Sequence, residues 1–141
     1  MKDVDGIIVT HIHPDHFEPK TAAMLDKSIP VFVQDENDKK ITEQFGYTNV
    51  SILNKDGNKF GDITFFRTEA MHGLSPERTA GNACGVVISV PDEKSLYIAG
   101  DTVWYDGVYN ALEKYHPDIV VVNACAAELD GVGRLIMDAD D

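Results

Sequence analysis

Three histidines and an aspartate lie within six consecutive positions near the start of the chain. The segment 10–17 reads THIHPDHF, and the side chains of His11, His13, Asp15 and His16 are of the types that bind divalent metals. The whole chain has five histidines in 141 residues. A run of surface histidines is the alternative to a metal site, and the elements around the segment decide between the two.

An apolar strand leads into this segment. Residues 6–10, GIIVT, predict a buried strand. His11 and His13 follow it with the period of two that directs alternate side chains of an extended chain to one side. The next residue is a proline, which favours an extended conformation before it and a helix start at its own position. We therefore expect Asp15 and His16 in the first turn of a helix, directed back at the strand end.

Two later apolar strands also end at residue types that bind metals. ITFFRTEAMH ends at His72, and SLYIAGD ends at Asp101. Taken alone, His72 is more typical of a core or loop histidine, and Asp101 of a helix cap or a turn. Taken together, the three strand ends favour a metal site, because α/β sheets place their ligands at the carboxyl ends of strands.

The remaining chain alternates short apolar strands with helical segments and contains no internal repeat. This alternation predicts an α/β domain in which helices cover sheets. Residues 85–90 and 95–99 are predicted to form a hairpin. Helices are predicted over 17–26, 35–45 and 107–115, and further strands over 30–34, 49–53, 63–68 and 117–122, the last of them buried.

Composition and charge exclude several classes of function. The 12 basic residues against 24 acidic ones give a net charge of −12, which repels nucleic acid and anionic membranes. No apolar run reaches the roughly 20 residues that span a bilayer, and the N-terminus does not resemble a signal peptide. We therefore expect a cytoplasmic protein. Its two cysteines, Cys84 and Cys125, are expected to be reduced and largely buried.

The motif residues resemble the metallo-β-lactamase superfamily of metal-dependent hydrolases, and most closely its lactonase-like branch. The resemblance rests on the HxHxDH segment, on a lone histidine followed by Gly73, and on Gly100-Asp101-Thr102 after an apolar strand. The intervals agree as well, with 59 residues from His13 to His72 and 29 more to Asp101. The likeness covers the chain from Val4 to Asp138.

The resemblance implies an αββα sandwich with a two-metal site at one edge. Zinc is expected, with manganese or iron as alternatives. Asp15 would also orient or deprotonate the attacking water. In the implied arrangement the first metal is held by His11, His13 and His72, the second by Asp15 and His16, and Asp101 bridges both.

The implied activity is attack of a metal-activated hydroxide on an ester, lactone or phosphodiester bond of a small molecule. Two divalent ions against two carboxylates leave the site positive, which favours an anionic substrate, and Arg78 is a candidate to hold the substrate's anion. A redox diiron site is a weaker alternative, because related oxidoreductases carry a glutamate where this chain has His13.

Two features depart from the family pattern. The family usually has strands before the HxHxDH strand, whereas only five residues precede it here. It also has a final histidine well beyond the Gly-Asp motif, whereas the only histidine after Asp101 is His116, which we interpret as a cap or surface residue. We therefore expect residues 1–141 to form a single domain that is incomplete at both ends. The alternative function is a metal-binding but inactive chain, or a partial domain completed by a partner chain, with homo-oligomers forming through exposed strand edges.

Overall fold

In the computed structural model, which describes residues 4–141, the chain divides into two units after Leu53. The first unit contains a sheet of three parallel strands in the order β1-β2-β3. Helices connect the strands, as parallel pairing requires. The elements in chain order are β1 (Ile7–Val9), α1 (Pro19–Met24), β2 (Val31–Val33), α2 (Glu36–Gln44) and β3 (Val50–Ile52).

The core of the first unit is made by β-branched and aromatic side chains. Val31 and Val33 on one face of the central strand and Phe32 on the other are all buried, as expected for a parallel strand covered on both faces. The ring of Phe17 packs edge-on against Phe45 with ring centroids 5.5 Å apart. Asp35 caps α2, because its side chain accepts the backbone N–H of residue 38 at 2.9 Å.

The second unit, residues 54–141, contains a five-stranded mixed sheet in the order β10-β9-β8-β5-β4. The pairs are antiparallel except β9 and β10, which are parallel and are connected through α3. Two short hairpins, β6-β7 and β11-β12, lie outside this sheet. The bounds are β4 (Asn58–Phe60), β5 (Ile63–Glu69), β6 (Gly73–Ser75), β7 (Arg78–Thr79), β8 (Cys84–Ser89), β9 (Leu96–Ile98), α3 (Asp106–Tyr115), β10 (Ile119–Val121), β11 (Glu128–Leu129) and β12 (Gly133–Arg134).

The core of the second unit lies between the sheet and α3. Tyr97 on β9 is fully buried and packs in one cluster with Val87 of β8. The helix contributes Val108 and Ala111, and Met137 closes the cluster. The helix is thereby fixed against the strands whose ends carry the predicted metal ligands.

Most predicted elements are confirmed, including the hairpin of β8 and β9. The helix expected over 17–26 begins only at Pro19, so the expected helical first turn around Asp15 was wrong. The burial predicted for the strand over 117–122 was also wrong, since the residues from Ile119 to Val122 are 43–46% exposed. Among residues 4–141 this strand is the edge strand of its sheet, with β9 on one side only. Cys125 is exposed rather than buried.

None of the helices within residues 4–141 has the length and apolar character needed to cross a membrane.

His116 is the C-cap of α3, as its sequence position predicted. Its φ of 43° and ψ of 54° lie in the left-handed region, and its N–H donates to the carbonyl of Leu112 at 2.9 Å. Left-handed backbone disfavours side chains other than hydrogen, and Pro117 then prevents the helix from continuing.

Replacing His116 by glycine should therefore raise the free energy of unfolding by about 0.5–1 kcal/mol, since glycine adopts this conformation without a Cβ clash. Urea denaturation measures the change. His116→Ala is the matched control and should give no gain. An equal gain in both variants would show that the imidazole side chain, and not the left-handed backbone conformation, lowers the free energy of unfolding in the wild type.

Candidate metal centre

The three imidazoles of the HxHxDH segment lie together in the first unit. The ring centroid of His11 is 4.4 Å from that of His13 and 4.1 Å from that of His16. His11 is almost fully buried, with 1% exposure. Ring nitrogens gathered this closely offer several metal-binding donors in one place.

The second half of the HxHxDH segment forms a hydrogen-bonded turn and not a helix, and this turn positions Asp15 and His16. The carbonyl of His13 accepts the backbone N–H groups of His16 at 3.0 Å and of Phe17 at 2.8 Å. Phe17 is buried in the core of the first unit and anchors the turn. Asp15 stands out into solvent, and its Oδ2 lies 3.7 Å from Nε2 of His16. The turn therefore directs two predicted ligands toward each other without helical backbone.

Two further residues, Thr10 and Asp38, form hydrogen bonds with the HxHxDH segment. The hydroxyl of Thr10 lies 3.2 Å from Nδ1 of His11 and restricts the rotation of that ring. Asp38 of α2 is 4% exposed, and its carboxylate accepts hydrogen bonds from Nε2 of Gln34 at 2.9 Å and from the backbone N–H of Ile12. Burial raises the pKa of Asp38. A buried carboxylate thus holds the peptide between the first two histidines.

In the second unit, His72 and Asp101 form a buried pair. Their exposures are 3% and 7%, and Nε2 of His72 lies 3.7 Å from Oδ2 of Asp101. Nδ1 of His72 lies 3.1 Å from the carbonyl oxygen of Leu135. Because a carbonyl only accepts, Nδ1 carries a proton in this contact, so the tautomer of this ring that could bind a metal has its lone pair on Nε2. The structure therefore presents Nε2, the usual metal-binding nitrogen, on the side of the carboxylate.

Asn123 and Leu135 support this pair and were not predicted from the sequence. Nδ2 of Asn123 donates to Oδ1 of Asp101 at 2.6 Å. Asn123 follows strand β10 closely, as Asp101 follows β9, but an asparagine is not among the metal-ligand types that the analysis of strand ends selected. The contribution of Leu135 could not be predicted, because it comes from a backbone carbonyl and every residue has a backbone carbonyl.

Thr102 joins the two chain segments that carry the pair. Its hydroxyl accepts the backbone N–H of Met71 at 2.9 Å, and the N–H of Val103 donates to the carbonyl of Met71 at 2.9 Å. Thr102 is 1% exposed, so these hydrogen bonds are shielded from water. They fix the position of His72, the next residue after Met71, relative to Asp101.

A hairpin holds the chain after His72. The carbonyl of His72 accepts the hydroxyl of Thr79 at 2.9 Å and the N–H of Ala80 at 2.8 Å. Gly73 has a φ of 153°, and a Cβ built on it would lie 2.2 Å from the carbonyl oxygen of Arg78. Glycine is therefore required at this position, which explains the His-Gly step seen in the sequence.

A cavity of about 430 Å³ opens beside His72 in the second unit. Ser75, Thr79 and Asn82 contribute polar groups to its wall. Tyr105 contributes a phenol whose pKa is raised to about 12, chiefly by burial and also by the charge of Glu69, so it remains a hydrogen-bond donor at neutral pH. The arginine in the wall is Arg67; Arg78, the sequence candidate, does not line this cavity.

The donor set within each unit fits a divalent metal. The first unit supplies clustered imidazoles, and the second supplies an imidazole of fixed tautomer beside a buried carboxylate. Imidazole and carboxylate together suit zinc, manganese and iron. Hydrogen bonds to the ring nitrogen and to the carboxylate are the supports that metal ligands usually have.

The chain is similar to known proteins in both sequence and structure. A family model described as Beta-lactamase superfamily domain matches residues 1–139. The UPF0173 protein YddR of Bacillus subtilis strain 168 is 41% identical over 143 aligned residues, which cover 100% of this chain and 56% of YddR. The chain spans about half the length of the curated relatives that it matches.

Two solved structures resemble the chain over nearly all of its length. The isothiocyanate hydrolase from Delia radicum gut bacteria has a TM-score of 0.89 and 36% identity, covering 99% of this chain and 56% of that one. A possible metal-dependent hydrolase from Veillonella parvula DSM 2008 has a TM-score of 0.92 and 33% identity, covering 98% of this chain and 55% of that one.

Replacing Asn123 by aspartate should place two carboxylates in contact and destabilise the metal-free protein at pH 7. We expect a loss of about 1–3 kcal/mol, because the buried Asp101 loses a donor and gains a like charge. The like charge raises the folded-state pKa of the pair, so the penalty is present above that pKa and disappears as the pH falls through it.

Chemical denaturation in chelator at several pH values measures this effect. Asn123→Ala is the control, since it removes the donor without adding a charge, and its smaller loss should not disappear on acidification. A penalty in Asn123→Asp that is the same at all pH values would show that the two side chains do not interact as described.

Proposed function

The chain belongs to the metallo-β-lactamase superfamily, and on that basis we propose that it carries out metal-dependent hydrolysis of a small molecule. The likeness to the two solved structures confirms the predicted fold class. The observation that carries the proposal is the buried His72–Asp101 pair, with its fixed imidazole tautomer, at the wall of a cavity of about 430 Å³. Buried carboxylates in proteins are usually paired with cationic groups or coordinate metals, and this one lies beside a metal-binding type of side chain.

We propose that the six motif residues are the metal ligands. The ligand types, the clustering of imidazoles in the first unit and the paired donors of the second unit support this assignment. Two zinc ions per chain match the number and kind of donors. In this proposal His11, His13 and His72 would hold one ion, Asp15 and His16 would hold the other, and Asp101 would serve both.

The chemistry that divalent ions supply is the activation of water near neutral pH and the polarisation of an electrophilic oxygen. The chain's own residues position the reactants. Asp15, exposed and adjacent to His16, is suited to orient the attacking water and to accept its proton. Tyr105 in the wall of the cavity donates a hydrogen bond to a bound substrate, since its raised pKa keeps its proton in place.

The bond that is cleaved is proposed to be an ester, lactone or phosphodiester. A second candidate is an isothiocyanate, and the observation that favours it is the likeness to the isothiocyanate hydrolase, at 36% identity over 99% of this chain. The alternative without catalysis is a metal-binding chain that is inactive or is completed by a partner. We place the reaction in the cytoplasm, in keeping with the reduced thiols expected there.

Metal content per chain tests the ligand assignment. Elemental analysis of the purified protein should find about two divalent ions per chain, because the six residues offer donors for two sites. His13→Ala should lower the content of the first site. His116→Ala is the matched control, since this exposed histidine caps α3 through its backbone and its loss should leave the metal content unchanged.

Loss of metal from both histidine variants would indicate general damage and not a ligand. Absence of metal from the wild-type protein, after growth and purification in zinc-supplemented medium, would overturn the assignment.

Replacing Asp15 by asparagine tests its role in catalysis. We expect kcat to fall by about 10²–10⁴-fold, the usual contribution of a positioned acid–base group. Hydrolysis of a p-nitrophenyl ester, of bis(p-nitrophenyl) phosphate and of phenyl isothiocyanate also separates the candidate bond types. Asp62→Asn, at an exposed position in the second unit, is the control and should keep full activity. An unchanged kcat in Asp15→Asn would exclude the assigned role.

A further inference from the structure

A second cavity in the second unit is lined by three basic residues. It has a volume of about 240 Å³ and lies between β5, α3 and the segment before β4. Its basic residues are Lys55, Arg67 and Lys114, and its single acidic residue is Glu69. We propose that this cavity binds the phosphate or carboxylate group of a small molecule.

The charge of the cavity is opposite to that of the chain. The full sequence carries a net charge of −12 with only 12 basic residues, and three of these line this one cavity. With Glu69 counted, the lining has an excess of two positive charges. Gathering like charges in one concave surface costs free energy without an anion, and it concentrates the field that attracts one.

Arg67 is the one guanidinium among the residues that line the cavity. Its Nε is buried and has no hydrogen-bond partner among residues 4–141. Its backbone N–H donates to the carbonyl of Asn54 at 3.0 Å, which holds strand β5 against the segment that carries Lys55. A guanidinium presents its N–H groups in a planar fork that matches a phosphate or carboxylate. Arg67 lines the cavity, so an anion held there lies beside its guanidinium group.

The two lysines are held in different ways. Nζ of Lys55 lies 2.5 Å from Oε1 of Glu69, and this ion pair is largely exposed. Nζ of Lys114 lies 4.7 Å from the ring centroid of Tyr115, so it rests on an aromatic face and has no carboxylate within ion-pair distance among the described residues. Lys114 is therefore the cation that is available to a ligand, and Glu69 is the group that competes with the ligand for Lys55.

The size and position of the cavity limit the ligand. A volume of about 240 Å³ is below the usual range for drug-sized molecules, which favours a small anion or the anionic end of a longer molecule. The cavity shares Arg67 and Glu69 with the cavity beside His72. One molecule with its anionic group on Arg67 therefore extends toward His72. Binding of the anion does not depend on the proposed hydrolysis, whereas a role as part of the substrate site rests on it.

The test is direct binding of inorganic phosphate and of acetate to the full chain, measured by isothermal titration calorimetry at constant ionic strength. Lys114→Glu should weaken phosphate binding by about tenfold or more. Lys94→Glu, in the exposed turn between β8 and β9, changes the net charge equally and should bind as the wild type does. Lys114 is exposed, so this substitution should leave folding intact.

A second variant is expected to change phosphate binding in the opposite direction. Glu69→Gln removes the competing carboxylate and releases Lys55, so it should tighten phosphate binding several-fold, while Glu93→Gln in the same exposed turn as Lys94 should not. His13→Ala should retain phosphate binding, which separates this cavity from any anion held by metal at the motif residues. Absence of binding at millimolar phosphate, or equal weakening by Lys114→Glu and Lys94→Glu, would overturn the proposal. Loss of metal content with phosphate binding intact would overturn the proposed hydrolase instead.

Discussion

The second unit depends on hydrogen bonds between the ends of two strands that are not neighbours in the sheet. Strand β8 lies between β5 and β9, so their backbones should be about 9–10 Å apart. Beyond the sheet, however, Met71 and Thr102 are directly hydrogen-bonded. Gly85 on β8 makes this possible, because a Cβ there would lie 2.5 Å from the hydroxyl of Thr68 and 2.8 Å from the carbonyl of Ala99. Because Gly85 in the middle strand has no side chain, the chain segments that follow β5 and β9 can approach each other and form hydrogen bonds. These hydrogen bonds fix His72 relative to Asp101.

The sequence selected the His72 and Asp101 side chains that the structure brings together, but it did not select the residues that support them. The period of the strands and the residue types at their ends were sufficient to select His72 and Asp101, because a ligand must be a histidine, a cysteine or a carboxylate. Supporting contacts are less restricted. A backbone carbonyl such as that of Leu135 leaves no trace in the sequence, and Asp38 reads as an ordinary residue in the first turn of a helix.

The errors of the sequence analysis have physical causes. Proline at position 14 is compatible with a helix start and equally with a turn, and the second proline, Pro19, is the one at the actual helix start. The run of four apolar residues over 119–122 predicts burial, but burial depends on what lies on either face of a strand, and an edge position leaves this run partly exposed. The local sequence pattern determines whether a segment forms a strand or a helix. The exposure of that segment depends on which other elements pack against it.

The exposed thiol of Cys125 has a practical consequence. The other cysteine, Cys84, is fully buried in β8, so maleimide or nitroxide reagents should modify a single position in the folded protein. Cys125 is two residues beyond Asn123, which holds the carboxylate of Asp101. A fluorophore or spin label on this thiol would therefore report on the surroundings of that carboxylate without any engineered cysteine, and its signal would make the site visible to spectroscopy in the wild-type chain.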